Sequence, residues 1–216
     1  MTGDQKEDQP QGESLAEVLA DDERALQGVQ RESVGVFLAH ARGDYAAAEE
    51  PARRAVALRE HARGPSHPET AADRAALAPI LLGLGRLKEA EALLQDAQAV
   101  FERAYGTRHV DYVIALGNLA AVTHRLGRHQ AAGTLYRQTL HTMEEELGPD
   151  HPDLAPVLAN LADLHRALGR MDDAHTLEAR ARAVLAASVR PDHPTLTILQ
   201  PPSSELFPSN WNSHEP

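Results

Sequence analysis

The chain contains no cysteine. That excludes a disulfide framework, a thiolate metal site and a cysteine nucleophile. Long apolar runs are also missing. The longest are short and broken by Arg, Gly and His, so none is expected to span a bilayer. Residues 1–23 lack a basic start followed by an apolar stretch, so no signal peptide is expected. Together these features point to a cytosolic chain. Motifs of catalysis are missing as well. The glycines around Gly83 and Gly85 lack the Lys-Ser/Thr ending of a phosphate loop. There is no Gly-x-Ser-x-Gly elbow and no His-Glu-x-x-His pair. Ser33 and Ser188 have no visible His or Asp partner in the sequence. The run Glu144-Glu145-Glu146 reads as a solvated helix face rather than a carboxylate pair for acid–base work. No enzyme activity is expected.

Positive charge is scarce where nucleic acid would need it. The formal net charge is -11, from 21 basic and 32 acidic residues. Residues 1–23 hold eight of the acids against Lys6 alone, and residues 191–216 hold three acids and no Lys or Arg. The acidity therefore lies in the ends, and the body between them is nearly neutral with interspersed signs. A nucleic-acid surface usually gives a strongly basic domain, so neither nucleic acid nor membrane is an expected partner.

What the chain does have is repetition, which decides fold questions before local patterns do. A His-Pro pair or its relic recurs every 42 residues: His67-Pro68, His109-Val110, His151-Pro152 and His193-Pro194. Gly85-Arg86, Gly127-Arg128 and Gly169-Arg170 keep the same step. So do Gly64, Gly106 and Gly148, and Ala90, Ala132 and Ala174. A weaker copy comes first, with Gly43-Asp44 and Ala48 in phase.

Each unit reads as helix, turn, helix. In the third, Leu116, Leu119, Ala120 and Thr123 recur at helical spacing. Gly127 then stops the helix. Ala131, Leu135, Leu140 and Met143 form the apolar face of a second helix, and Gly148-Pro149 closes the unit. The spacing predicts helix pairs at 22–42 with 45–63, 68–84 with 87–105, 110–126 with 129–147, and 152–168 with 171–187. One pair cannot bury its own apolar face, but stacked pairs can. The expected fold is an all-α solenoid, a right-handed superhelix of about four antiparallel helix-turn-helix units (22–63, 64–105, 106–147, 148–189). The first helix of each pair should line its concave face. Residues 1–21 should form an acidic disordered segment and 190–216 an irregular tail, in which Leu206, Phe207 and Trp211 stand out.

The segment from Leu116 to Arg128 resembles the first helix of a tetratricopeptide repeat. The 42-residue step and the Gly-Pro-Asp-His-Pro-Asp linker at 148–153 resemble the kinesin light chain subtype of that repeat. The resemblance covers residues 64–187 well and 24–63 poorly. Some positions depart from it. Pro79 lies inside the first helix of the second unit and Pro51 inside the second helix of the first. Each is expected to cost ~3 kcal/mol and to kink the axis. Glu178 stands where the family carries a large apolar residue, which suits an exposed last helix. Val110 replaces Pro at one linker.

Twelve histidines invite a metal hypothesis. Equivalent residues in stacked helix pairs are separated by ~8–10 Å, whereas zinc takes its ligands at ~2 Å. His67, His109, His151 and His193 are therefore expected to order their linkers by hydrogen bonding. No metal or other cofactor is expected. The resemblance points instead to the groove, where mid-helix Asn residues bind the backbone of an extended peptide; Asn118 and Asn160 match that place. An amide side chain offers a donor and an acceptor to one peptide group. On the same face should lie His124 and Arg125 in the third unit, Asp163 and Arg166 in the fourth, and Phe37 and His40 in the first. The arginines suit a ligand carboxylate. The expected function is a scaffold that holds a peptide segment of a partner protein. A sensor of a small ligand or signalling peptide and a self-associating structural subunit (a homo-oligomer) are the alternatives.

Overall fold

The computed structural model describes residues 23–29, 32 and 43–188. Every regular element among them is helical: α1 (residues 23–29), α2 (Tyr45–Arg63), α3 (Pro68–Gly83), α4 (Leu87–Tyr105), α5 (Val110–Arg125), α6 (His129–Leu147), a 3-10 turn (Pro152–Leu154), α7 (Ala155–Ala167) and α8 (Met171–Ser188). From α2 onward, helices adjacent in sequence pack on one another. In addition α3 touches α5 and α5 touches α7, a direct contact that the even-numbered helices do not share to the same extent. The odd-numbered helices thus form the inner, shorter row of a solenoid and the even-numbered helices the outer one.

Seven glycines with positive φ set this geometry: Gly43, Gly64, Gly85, Gly106, Gly127, Gly148 and Gly169, each 21 residues after the last. The 42-residue unit is thus two 21-residue halves, and the two kinds of glycine differ. Gly127 has φ 77° and ends α5: its own N–H donates to the His124 carbonyl at 2.8 Å, and that of Arg128 donates to the Thr123 carbonyl at 3.1 Å. This left-handed closure satisfies carbonyls that the helix end leaves open. Gly106 instead has φ 86° and ψ 174°, a region open in practice to glycine alone. An added Cβ would meet nothing within 4 Å at either site, so a substitution there is strained by backbone conformation only. Gly127→Ala is expected to cost about 1–2 kcal/mol and Gly106→Ala more, up to about 3 kcal/mol. Urea unfolding of the two variants checks the order.

The linker histidines cap the helices that follow them. Nδ1 of His67, His109 and His151 accepts the backbone N–H two residues on, at 3.2, 3.3 and 3.3 Å. His193 lies outside the described residues. Where 152–168 was expected to be one helix, its first turn is 3-10. Pro156 has no N–H to give the Pro152 carbonyl; Ala155 donates there instead. Helices α2 and α3 run on through Pro51 and Pro79. The core is built from small and aliphatic residues. Ala48, Ala90, Ala132 and Ala174 are fully buried, as are the large side chains of Ile80, Leu94, Phe101, Tyr136 and Leu164.

Ion pairs join neighbouring units on the outer row. Arg86 binds Glu49, and Arg128 binds Glu91 at 2.5 Å, both across 37 residues. Arg53 adds Glu49 at 2.8 Å and Glu89 at 2.6 Å. These partly exposed pairs are screened by solvent and add little to stability.

Candidate functional site

Helical spacing places Ile114, Asn118, Ala121 and Arg125 on one stripe of α5. The same register places Pro156, Asn160, Asp163 and Ala167 on α7, and Ala72, Ala76, Pro79 and Gly83 on α3. Because these helices form the inner row, the three stripes lie side by side. Arg125, Gly83 and Ala167 are exposed, while Ala72, Ala76, Ile114, Pro156 and Asp163 are half-buried. The floor is made largely of small side chains.

Asn118 and Asn160 lie at the bottom of these stripes, each 3% exposed. They differ in one respect. Asn118 Oδ1 is buried with no hydrogen-bond partner among the described residues, whereas Asn160 has an interaction within the structure. A buried acceptor without a donor costs about 1–3 kcal/mol.

The remaining expected residues separate into groups. His124 is half-buried, and its ring meets that of His129 edge-on at 5.2 Å. Burial pushes the His124 imidazole below its ordinary value. Neighbouring His129 and Arg125 add to this and Asp163 opposes it. Folding therefore favours the neutral ring. Stability from this group is fully present above about pH 6.5, the unfolded value, and falls as the medium becomes more acidic. His124→Gln is expected to flatten the acid limb of the stability–pH profile, measured by thermal melts between about pH 5 and 8.

Arg166 does not stand free for a ligand: it binds Asp163 one turn earlier and Glu178 on α8. The Glu178 carboxylate, noted in the sequence as out of place, thus links α8 to α7 through an ion pair. Arg125 also has a partner within the structure. Phe37 and His40 lie outside the described residues.

A shallow depression of 690 Å³ lies at the turn between α5 and α6, lined by Gly127, Arg128, His129, Gln130, Ala131 and Thr134. It opens to solvent and shares no residue with the asparagine stripes. Among the described residues no three His, Asp or Glu side chains converge as a metal site, and no helix is long and apolar enough to cross a membrane.

Comparison with known proteins supports this architecture. BtubC (BKLC) from P. vanneervenii has a similar crystal structure, with a TM-score of 0.63 at 20% identity over 84% of this chain and 77% of that one. A putative kinesin light chain with nearly identical TPR-like repeats from Podosopora anserina is similar at a TM-score of 0.53 and 23% identity, over 83% and 80% of the two chains. A second crystal structure of those repeats, carrying one substitution, gives 0.55 and 22%, over 83% and 79%. At these identities the likeness speaks for the fold. Among curated proteins no sequence matches. The tetratricopeptide repeat profile matches residues 29–103, 72–140 and 111–187 in overlapping register. These matches cover most of the chain and follow the helix pairs described above, so the chain belongs to the tetratricopeptide repeat family.

Proposed function

We propose that the inner row holds an extended peptide segment of a partner protein, with Asn118 and Asn160 on the peptide backbone. The family forms protein-interaction scaffolds in general and is typically not enzymatic. The finer reading rests on one observation: the buried acceptor of Asn118 has no donor among the described residues. A ligand N–H would supply it. The spacing also fits. Packed helices stand ~8–10 Å apart, and an extended chain advances ~3.3 Å per residue. The two amides would thus meet peptide groups about three residues apart. Small residues between them leave room for the ligand's side chains. His124, Arg125 and Asp163 then border the peptide, with Arg166 fixing the position of Asp163.

Affinity capture from native lysate tests this, with the wild type compared with the Asn118→Ala/Asn160→Ala double variant. The expected result is a partner retained by the wild type and lost by the variant, with helicity unchanged. Equal retention by both would move the interface away from the inner row.

A further inference from the structure

The large apolar side chains exposed among the described residues are Tyr105, Leu168 and Met171, at 48%, 43% and 51%. Two of these flank the last turn, between α7 and α8. Their counterparts in earlier units, Leu84 with Leu87 and Leu126 with His129, are half-buried. The same turn has lost an ion pair. Arg86 and Arg128 each bind a glutamate 37 residues back, but the residue 37 before Arg170 is Gly133. Arg170 is exposed and forms no ion pair among the described residues. A cation that forms no ion pair among the described residues therefore adjoins an uncovered apolar pair, with Asp172 and Asp173 in the first turn of α8 beside it.

The feature left open is small. The outer face of α8 is already polar: Glu178 and Arg182 stand where α6 has Tyr136 and Leu140. This is how a terminal repeat is made soluble, and it removes the need for a further helix pair. Two side chains and one guanidinium also fall far below the roughly 1,200 Å² of a stable protein–protein interface, which argues against a second copy. A short segment fits better. Residues 191–216 carry acids and no Lys or Arg, and they include Phe207 and the chain's one tryptophan, Trp211. Glu205-Leu206-Phe207 sets an acid beside two large apolar side chains, matching Arg170 beside Leu168 and Met171. Reach is ample. Helix α8 has 18 residues, or ~27 Å, while the stretch from Ser188 to Glu205 spans up to ~56 Å when extended.

We propose that the segment from Glu205 to Trp211 folds back along α8 and docks on the α7–α8 turn. Leu206 and Phe207 cover Leu168 and Met171, Glu205 pairs with Arg170, and Trp211 lies at the edge of the patch. This surface is separate from the asparagine stripes and stands independently of the groove reading.

Trp211 is the reporter. In the full chain its emission is expected to be blue-shifted from that of the same chain unfolded in urea, and shielded from acrylamide. Met171→Glu and Arg170→Glu, both at exposed positions, are each expected to move the emission toward the unfolded value. Each should also raise acrylamide quenching several-fold, with the helical circular dichroism signal unchanged. Dilution should leave the wild-type emission where it is. Three results would overturn the proposal: a wild-type emission equal to that of the unfolded chain, a blue shift that survives both substitutions, or one lost on dilution, which would assign the contact to a second copy.

Discussion

Asn118→Ala is expected to leave stability unchanged or to raise it by about 1–2 kcal/mol, because it removes a buried acceptor that finds no donor among the described residues. The same change should weaken partner binding by about tenfold, the worth of one or two hydrogen bonds made in a desolvated groove. Opposite signs for folding and binding are the mark of a residue kept for a ligand. Asn160 provides the contrast. Its interaction within the structure would be lost in Asn160→Ala, which is expected to cost about 0.5–1.5 kcal/mol while also weakening binding. Urea unfolding gives the first quantity and calorimetric titration with the captured partner the second. A large destabilisation by Asn118→Ala would mean that the amide serves the helix packing instead.

Tyr136→Ala is expected to lower the unfolding free energy by about 3–5 kcal/mol, as truncation of a large buried ring does. Tyr136 is 1% exposed on α6 and belongs to the continuous core that reaches α7. The damage should fall on the third and fourth units, since each unit of a solenoid is held mainly by its neighbours. The conservative variant isolates the hydroxyl. Burial pushes the Tyr136 phenol far above its ordinary value of 10.0. A raised folded-state value means that stability from this group is fully present below about pH 10 and declines as pH rises further. Tyr136→Phe should therefore lose less stability than the wild type between about pH 9 and 11, measured by urea midpoints at each pH.

The 42-residue step made the solenoid readable, because the linker histidine, Gly-Arg and the alanines at 90, 132 and 174 mark the same three points in the last three units. The linker histidines were also readable, since stacking keeps them too far apart for one metal and their place before a helix start suits a cap. The half-unit of 21 residues was harder to see, because the two classes of glycine sit in different sequence surroundings and share only a positive φ. Ion pairs across 37 residues left no helical periodicity to follow. Only the placement of the outer row shows that Glu49 meets Arg86 and that Gly133 deprives Arg170 of the same partner. Arg166 shows a limit of reading one helix at a time. Its place on α7 was clear, but Glu178 on α8 decides what its guanidinium binds. The 3-10 start of the fourth unit follows from Pro156, a residue visible from the start whose effect depends on which carbonyl waits one turn earlier.

Hydrogen–deuterium exchange of the full chain, alone and bound to its captured partner, tests the inner-row reading most directly. Slowed exchange concentrated in α5 and α7 around Asn118 and Asn160, with the outward faces of α4 and α6 unchanged, is the predicted footprint. Protection confined to α4 and α6, with α5 and α7 exchanging as in the free protein, would contradict it.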